Sequence, residues 1–285
     1  MKIKFVTDSV ADIPPDLAAK WDIRVVPCFV NYGGRSYADD GVELVREDYY
    51  NELSSMRDHP TTSAMPPEMA REQIDAAIAE ADHVILITTP AKLSGIHNAF
   101  RLGAEHLPPE NYTLIDSGQI SVGMGWQVLA GVEEAARSGD LARTLATVHA
   151  MRKAQRIYAI VGSLESLRRS GRVGWAQASI GTLLNIKPVV EMRDGEANPV
   201  TRVRTFNRAL EKLAELARTQ APFDQLGIVH INNPEGAEAV RAMLADILPD
   251  TIITGLINPA VGTHIGPGSV GVGTVSKGWN DAIST

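Results

Sequence analysis

The stretch Val84-Ile85-Leu86-Ile87-Thr88-Thr89-Pro90-Ala91-Lys92-Leu93-Ser94-Gly95 decides how this chain folds. Its first five residues are aliphatic or β-branched without polar alternation, the pattern of a strand buried on both faces. Pro90 and Gly95 punctuate the loop that follows, and helical spacing resumes over Gly95–His106. A strand covered on both sides needs a layer above and a layer below. Working outward, Ile3–Thr7 and Tyr112–Ile115 repeat the short apolar strand. Helices are expected from Asp12-Ile13-Pro14-Pro15 through Lys20 and over Arg46–Met56, Pro66–Ala81, Ile120–Arg137 and Leu141–Ala154. Val25–Val30 and Arg35–Ala38 read as extended, with Gly33-Gly34 as a turn. Strands separated by helices imply a mainly parallel sheet under helices over residues 1–155.

Residues 156–285 change character. Ile157–Val161 opens as a strand, and helices are expected at Leu164–Ser170 and Ala176–Leu184. Lys187–Met192 and Asn198–Arg204 flank Arg193-Asp194-Gly195-Glu196, an antiparallel hairpin signal. Helices Phe206–Gln220 and Pro234–Ile247 then alternate with strands Leu226–Ile231 and Thr251–Leu256, and Val270–Val275 is the last strand. The expectation is a second α/β domain with a mixed, partly antiparallel sheet.

Of 285 residues 44% are apolar, enough for a sizeable core, but only 5% are aromatic, so that core is aliphatic. The same composition suits an aliphatic tunnel. A net charge of −7 argues against nucleic-acid binding. Cys28 is the single cysteine, which excludes an intramolecular disulfide and a cysteine-rich metal site. Thr7-Asp8-Ser9 interrupts the apolar start too early for a signal peptide, and no run approaches a membrane span. A cytoplasmic protein without stable membrane insertion is expected, so any lipid it handles must be enclosed.

Hydroxyl residues cluster at strand ends and helix starts: Thr7-Asp8-Ser9, Pro60-Thr61-Thr62-Ser63 before the third helix, Thr89 to Ser94-Gly95, and Asp116-Ser117-Gly118. At the carboxyl edge of a parallel sheet such loops meet, and the helix starts beside them favour an anion. Asp12, Asp116 and Ser117 read first as ordinary helix caps. Thr62, Ser63 and Ser94 are better ligand candidates, because Gly95 allows a ligand close to the backbone. At and just beyond Asn258–Gly268, Gly266, Gly268 and Gly271 match GxGxxG formally. No βαβ unit follows, so a dinucleotide is rejected. His264, among glycines, is a candidate functional residue. The arginines of Leu167–Arg172, with Arg202 and Arg204, read equally as complements to a helix dipole or as a surface for an acidic partner or a phosphorylated ligand. No metal or cofactor motif is present. Ser94 with His264 also reads as a nucleophile and base, which gives a serine esterase or thioesterase as the alternative function.

These segments together resemble the DegV family of bacterial fatty-acid-binding proteins across nearly the whole chain. Thr7-Asp8-Ser9-Val10-Ala11-Asp12 is similar to its TDS–D start, Thr62-Ser63 to its TSQPS loop, and Leu93-Ser94-Gly95 to its LSGTY motif. Ile115-Asp116-Ser117 with Ser121, Gly123 and Gly125 is similar to DS…SxGxG. Leu184-Asn185-Ile186-Lys187-Pro188 is similar to L-x-IKP, Val203-Arg204-Thr205 to VRT, and Gly262–Gly268 to GxHxGPG. The resemblance implies an N-terminal three-layer α/β/α domain and a C-terminal mixed-sheet domain. It also implies a non-enzymatic carrier whose long-chain fatty acid is held by its carboxylate at Thr62 and Ser94, with Ser63 nearby and His264 beside the head group. Such a carrier presents the acid to a separate dihydroxyacetone-kinase-like subunit for acyl phosphate formation, in the service of phospholipid metabolism. Arg172 and Arg204 would face that subunit. Departures exist: Ala64-Met65-Pro66 replaces the rest of TSQPS, Ile96-His97 replaces the end of LSGTY, and Ser170-Gly171-Arg172 stands for GGR.

Overall fold

The computed structural model describes residues 1–178 and 186–281. The first half runs β1 (Ile3–Asp8), α1 (Pro15–Lys20), β2 (Arg24–Val26), β3 (Phe29–Tyr32), β4 (Arg35–Ala38) and α2 (Arg46–Leu53). It continues with β5 (Thr61–Ser63), α3 (Pro67–Ile78), β6 (His83–Thr88), α4 (Ile96–Ala104), β7 (Tyr112–Asp116), α5 (Val122–Ser138) and α6 (Leu141–Ala154). Four strands form a parallel sheet in the order β2-β1-β6-β7. Every residue of β6 is buried, and the alternation of its side chains shows why. Val6, Val84 and Leu86 pack with Ala70, Ile74, Ala77, Phe100 and Ala104 of α3 and α4. Phe5, Ile85 and Ile87 pack with Met124, Val128, Val132 and Val148 of α5 and α6. Two apolar faces, each burying side chains worth about 1.5–3 kcal/mol apiece, hold the three-layer α/β/α unit together.

The second half contains β8 (Gln155–Ile160), α7 (Leu164–Ser170), α8 (Gly174–Gln177), β9 (Lys187–Arg193), β10 (Glu196–Val203) and α9 (Phe206–Arg218). β11 (Phe223–His230), α10 (Pro234–Met243), β12 (Ile252–Leu256), α11 (Pro259–Ile265) and β13 (Val270–Ser276) follow. Its mixed sheet has the order β10-β9-β8-β13-β11-β12, parallel only between β11 and β12. The expected hairpin is present, and its turn residues Asp194 and Gly195 both have positive φ. One face packs on α9 and α10 through Ile160, Val189, Leu226, Ile228 and Val272. The opposite face meets the first half. Gly227 and Gly273 are register partners there, and a Cβ at Gly273 would come within 2.8 Å of Trp126 and Val122 of α5. Two facing glycines thus let α5 lie against the sheet. The chain is a two-domain α/β fold with one parallel and one mixed sheet.

Four local readings change. Val25–Val30 is not one strand: Pro27 removes a ladder donor, and the chain leaves the parallel sheet there for a three-stranded antiparallel sheet, β4-β3-β5. Thr61–Ser63 is not a loop at the parallel sheet's edge but strand β5 of that small sheet, with Thr62 opposite Val30. Asn258–Gly266 is mainly helix: Asn258 Oδ1 accepts from Val261 N at 2.9 Å and Pro259 occupies the first turn, so the Asn-Pro start outweighs the glycines. The helix expected at Ala176–Leu184 begins instead at Gly174. Its residues 179–184, and the Leu184-Asn185 part of the L-x-IKP motif, lie outside the described residues.

The expected caps act elsewhere. Asp116 accepts from Ala91 N at 3.0 Å and Gly118 N at 2.8 Å, and the Ser117 hydroxyl donates to Gln119 O at 2.9 Å. Asp12 ties the halves together. It pairs with Arg46 at 2.9 Å and accepts from Ser121 at 2.6 Å and from Asn258 Nδ2 at 2.8 Å.

Beside this hub Asp39 is 2% exposed, and burial pushes its carboxyl up to about 7 against the pull of Arg46. The folded protein therefore keeps a proton that the unfolded chain releases from about pH 4 upward, so stability falls as pH rises from about 4 to 7. Asp39→Asn is expected to reduce that slope and to melt above wild type at pH 8, the difference vanishing near pH 4. Burial raises Asp8 to about 6 with the same sign, so part of the slope remains. Identical melting curves for variant and wild type at both pH values would refute the assignment.

Candidate functional site

Where the halves meet, a cavity of about 850 Å³, counting its open mouth, is lined by Thr62, Ser63, Ser94, Gly95 and His264 on its polar side. Most of its remaining wall is apolar, including Val10, Leu93, Ile120, Leu167 and Met192. Each polar group arrives on a different element. Thr62 and Ser63 come from β5, Ser94 and Gly95 from the loop between β6 and α4, and His264 from the last turn of α11.

Local interactions place these groups. Asp8, fully buried at the end of β1, accepts from Thr89 N and from the Thr89 hydroxyl, both at 2.8 Å. This pins the start of the β6–α4 loop to the neighbouring strand. Leu93 N and Ser94 N then both donate to Pro90 O, which curls the loop back. Ser94 Oγ accepts from Ile96 N at 3.3 Å at the first turn of α4. A Cβ built on Gly95 would touch Ala64 Cβ at 3.8 Å, so the loop carrying Ser94 lies directly against the residue following β5.

Thr62 Oγ1 lies 2.8 Å from His264 Nε2. α11 is held for this contact by Tyr49, whose hydroxyl is 2.6 Å from Thr263 Oγ1, and by Tyr50, whose hydroxyl donates to Ile257 O and Asn258 O. Burial first, then the charges of Arg172 and His59, pushes His264 down to about 3. The ring is therefore neutral at physiological pH, with one donor and one acceptor nitrogen. With Nε2 protonated, Thr62 accepts from His264 and its own proton is free to point into the cavity. Ser63 lines the cavity too, but its hydroxyl accepts from Asn31 Nδ2 at 3.3 Å.

A second apolar cavity of about 640 Å³ shares Ile120, Met192, Ala197, Val261 and Ile265 with the first. It continues between α5 and the mixed sheet along Val122, Ile157, Val190 and Val272, all buried. The polar end includes exposed Ser63, Gly95 and Arg172, whereas no residue lining the second cavity is exposed. The combined space is elongated, oily, and polar at one end only. A carboxylate at the polar end would find the hydroxyls of Thr62 and Ser94, and the guanidinium of Arg172 on the same lining. Arg204 lies away from this cavity, exposed in the bend between β10 and α9.

Sequence reading gave Cys28 no part here and named Thr89 only as the start of the hydroxyl-bearing loop. Cys28 lines the cavity, its thiol 3.2 Å from Ser9 Oγ, and its position is a tertiary fact with no local signal. Thr89 carried a signal, since it follows a buried strand whose neighbour ends in Asp8. Arg172 was assigned outward, but it also lines the cavity. Among the described residues no cluster suited to a metal ion is found, and no helix is long and apolar enough to cross a membrane.

Comparison with known proteins agrees with this architecture. A DegV domain-containing protein of Caldanaerobacter subterraneus subsp. tengcongensis is 31% identical over 275 residues, covering 95% of this chain and 98% of the relative. Among solved structures, one described as fatty acid binding of a DegV family protein from Thermus thermophilus superposes with a TM-score of 0.88 at 30% identity, covering 97% of this chain and 100% of that one. DegV of Bacillus subtilis, described as a fatty acid binding protein, superposes with a TM-score of 0.85 at 26% identity, covering 97% and 100%. The family model described as "Uncharacterised protein, DegV family" matches residues 2–277. With a model that spans both sheets and the loops carrying Thr62, Ser94 and His264, this chain belongs to the DegV family.

Proposed function

We propose that this protein binds one long-chain fatty acid, its carboxylate held by Thr62 and Ser94 and its tail buried along the joined cavities. The observation that carries this reading is the single polar end of an elongated apolar space. Burial of the tail contributes roughly 0.8 kcal/mol per methylene, of order 10 kcal/mol for sixteen carbons before ordering costs. An unpaired buried carboxylate would cost several kcal/mol, which the two hydroxyl donors offset. The donors are uncharged, so they orient the acid without locking it in an ion pair. Neutral His264 holds Thr62 and adds no charge of its own. The fatty-acid binding of the Thermus thermophilus and Bacillus subtilis relatives supports the same assignment.

As a carrier, the protein presents the carboxylate at the open end to a separate kinase subunit that forms the acyl phosphate. Exposed Arg172 at the mouth and exposed Arg204 suit contact with an acidic partner. The hydrolase alternative asks His264 to serve Ser94. Here His264 Nε2 bonds Thr62, and Ser94 Oγ accepts from Ile96 N.

Denaturing mass spectrometry of freshly purified protein is expected to release a C14–C18 fatty acid at near-equimolar amount. Absence of lipid together with no uptake of added palmitate would reject the proposal. A serine-directed phosphonate is expected to leave Ser94 unlabelled, and stoichiometric labelling would favour the hydrolase.

A further inference from the structure

Behind the wall that Met192 gives the lipid cavity lies a separate cleft of about 930 Å³, between the end of α6 and the β9–β10 turn. Arg152, Lys153, Arg156 and Arg193 line it together, four cations in a chain whose net charge is −7. The carboxylates near them are Asp194, 3.6 Å from Arg152 and 3.9 Å from Arg193, and Glu191, 3.8 Å from Arg156. Those separations exceed charge-assisted hydrogen bonds, and two cations remain in surplus. Arg152 and Arg156 direct one nitrogen each to backbone carbonyls, of Asp116 for Arg152 and of Lys153 and Gln155 for Arg156. This fixes both guanidinium groups on the cleft wall.

Complementing the carbonyl end of α6 accounts for Arg152 and Lys153, but it leaves the floor unexplained. Gln155 is 1% exposed and lines the cleft, yet neither Nε2 nor Oε1 has a hydrogen-bond partner among the described residues. Gln119, beside it, spends its Nε2 on Met192 O, while its Oε1 is also unpartnered. Buried amides left unpaired cost about 1–3 kcal/mol each, so they mark a place where a polar group belongs. Fixed guanidinium forks with a buried amide donor suit phosphate oxygens better than a carboxylate-rich protein surface, because the cleft is concave and its floor is polar.

We propose that this cleft is a second ligand site, distinct from the lipid cavity, that takes a phosphate-bearing anion. The phosphate sits against Arg152, Arg156 and Arg193, with Lys153 at the rim and the Gln155 amide beneath it.

Isothermal titration of the full-length protein with inorganic pyrophosphate, against sodium chloride of equal ionic strength, tests this. Co-sedimentation with phosphatidylglycerol vesicles, against phosphatidylcholine vesicles, distinguishes a soluble phosphate from a lipid headgroup. Saturable pyrophosphate binding is expected, weakened about tenfold or more in Lys153→Gln/Arg193→Gln. It should be unchanged in Arg208→Gln/Lys212→Gln, which removes the same charge from the distant surface of α9. Both pairs avoid the core, so a folded variant is assured by its melting curve. Vesicle binding that falls in the first pair only, without pyrophosphate binding, would assign the site to a headgroup phosphate. Heat no greater than the salt control with no vesicle binding, or equal losses in both pairs, would overturn the proposal. Palmitate uptake by Lys153→Gln/Arg193→Gln is expected to match wild type, which keeps this outcome separate from that of the lipid site.

Discussion

The double substitution Thr62→Val/Ser94→Ala is expected to weaken palmitate binding by about 100-fold or more, since in the proposed binding mode each hydroxyl donates to a charged carboxylate and such bonds contribute roughly 1.5–3 kcal/mol. Val preserves the shape of Thr62 but leaves His264 Nε2 facing a methyl group instead of a hydroxyl at 2.8 Å. Ser94→Ala also removes an acceptor for Ile96 N at the start of α4, a loss of about 1 kcal/mol that lowers melting by only a few degrees. Methyl palmitate separates head from tail. It carries no charge, so its affinity is expected to change far less than that of palmitate, and fluorescence competition measures both ligands. Equal losses for acid and ester would show that the substitutions damage the tunnel, and unchanged palmitate affinity would remove Thr62 and Ser94 from the head-group site.

Gly262→Ala is expected to be among the most damaging glycine-to-alanine changes at the described residues. A Cβ at Gly262 would overlap the Tyr50 hydroxyl and reach its Cε1 at 2.5 Å. Tyr50 is 1% exposed and cannot swing aside, because its hydroxyl donates to Ile257 O at 3.0 Å and to Asn258 O at 2.8 Å. Relief requires α11 to move off α2, which loses packing and strands a buried hydroxyl together. Overpacking of this kind costs about 1–3 kcal/mol and an unpaired buried polar group about as much again. The melting temperature is expected to fall by about 10 °C, read by differential scanning calorimetry. Because α11 also carries His264, lipid stoichiometry should fall with it. Adding Tyr50→Phe removes the overlapping oxygen but not the ring carbons, so it should restore stability only in part. A melting curve within 2 °C of wild type, a margin of about 1 kcal/mol or less, would mean that α11 and α2 are not closely packed.

The lipid site and the stability of the α2–α11 contact are physically linked. The candidate polar site draws on three elements that are far apart in sequence, β5, the β6–α4 loop and α11, and the last is anchored on the other half of the chain through Tyr49 and Asp12. Asp12, Arg46 and Asn258 form that anchor, with Asp39 buried alongside. Weakening the anchor should therefore disturb His264 before it disturbs Ser94, whose loop is pinned independently by Asp8 and Thr89.

Some of this was legible from residues alone. Val84–Thr88 without polar alternation could only be a strand covered on both faces, because exposing either face would leave aliphatic side chains in water. Asp194-Gly195 announced its hairpin through local backbone preference, which needs no distant partner. The hydroxyls of Thr62 and Ser94, with Gly95 and His264, were likewise visible as ligand-type residues beside helix starts and glycines. Short-range signals misled where two of them competed. Pro27 split an apparent strand, and the glycines of Asn258–Gly268 hid a helix whose Asn-Pro start was in plain view.

Other features had no local signature. That Thr62 meets His264, 202 residues away, follows from β5 adding to a small antiparallel sheet and α11 docking on Tyr49 and Tyr50. The second cavity runs past Gly273, whose register partner is Gly227, and these two glycines under Trp126 set the spacing between α5 and the mixed sheet, a pairing decided by strand register. The basic cleft likewise gathers α6 with the β9–β10 turn. Periodicity and turn chemistry act over a few residues, so the sequence by itself determined which segments became strands and helices and which side chains could hold an anion. Burial and register act between segments, and only the tertiary structure decided which of those side chains share one cavity.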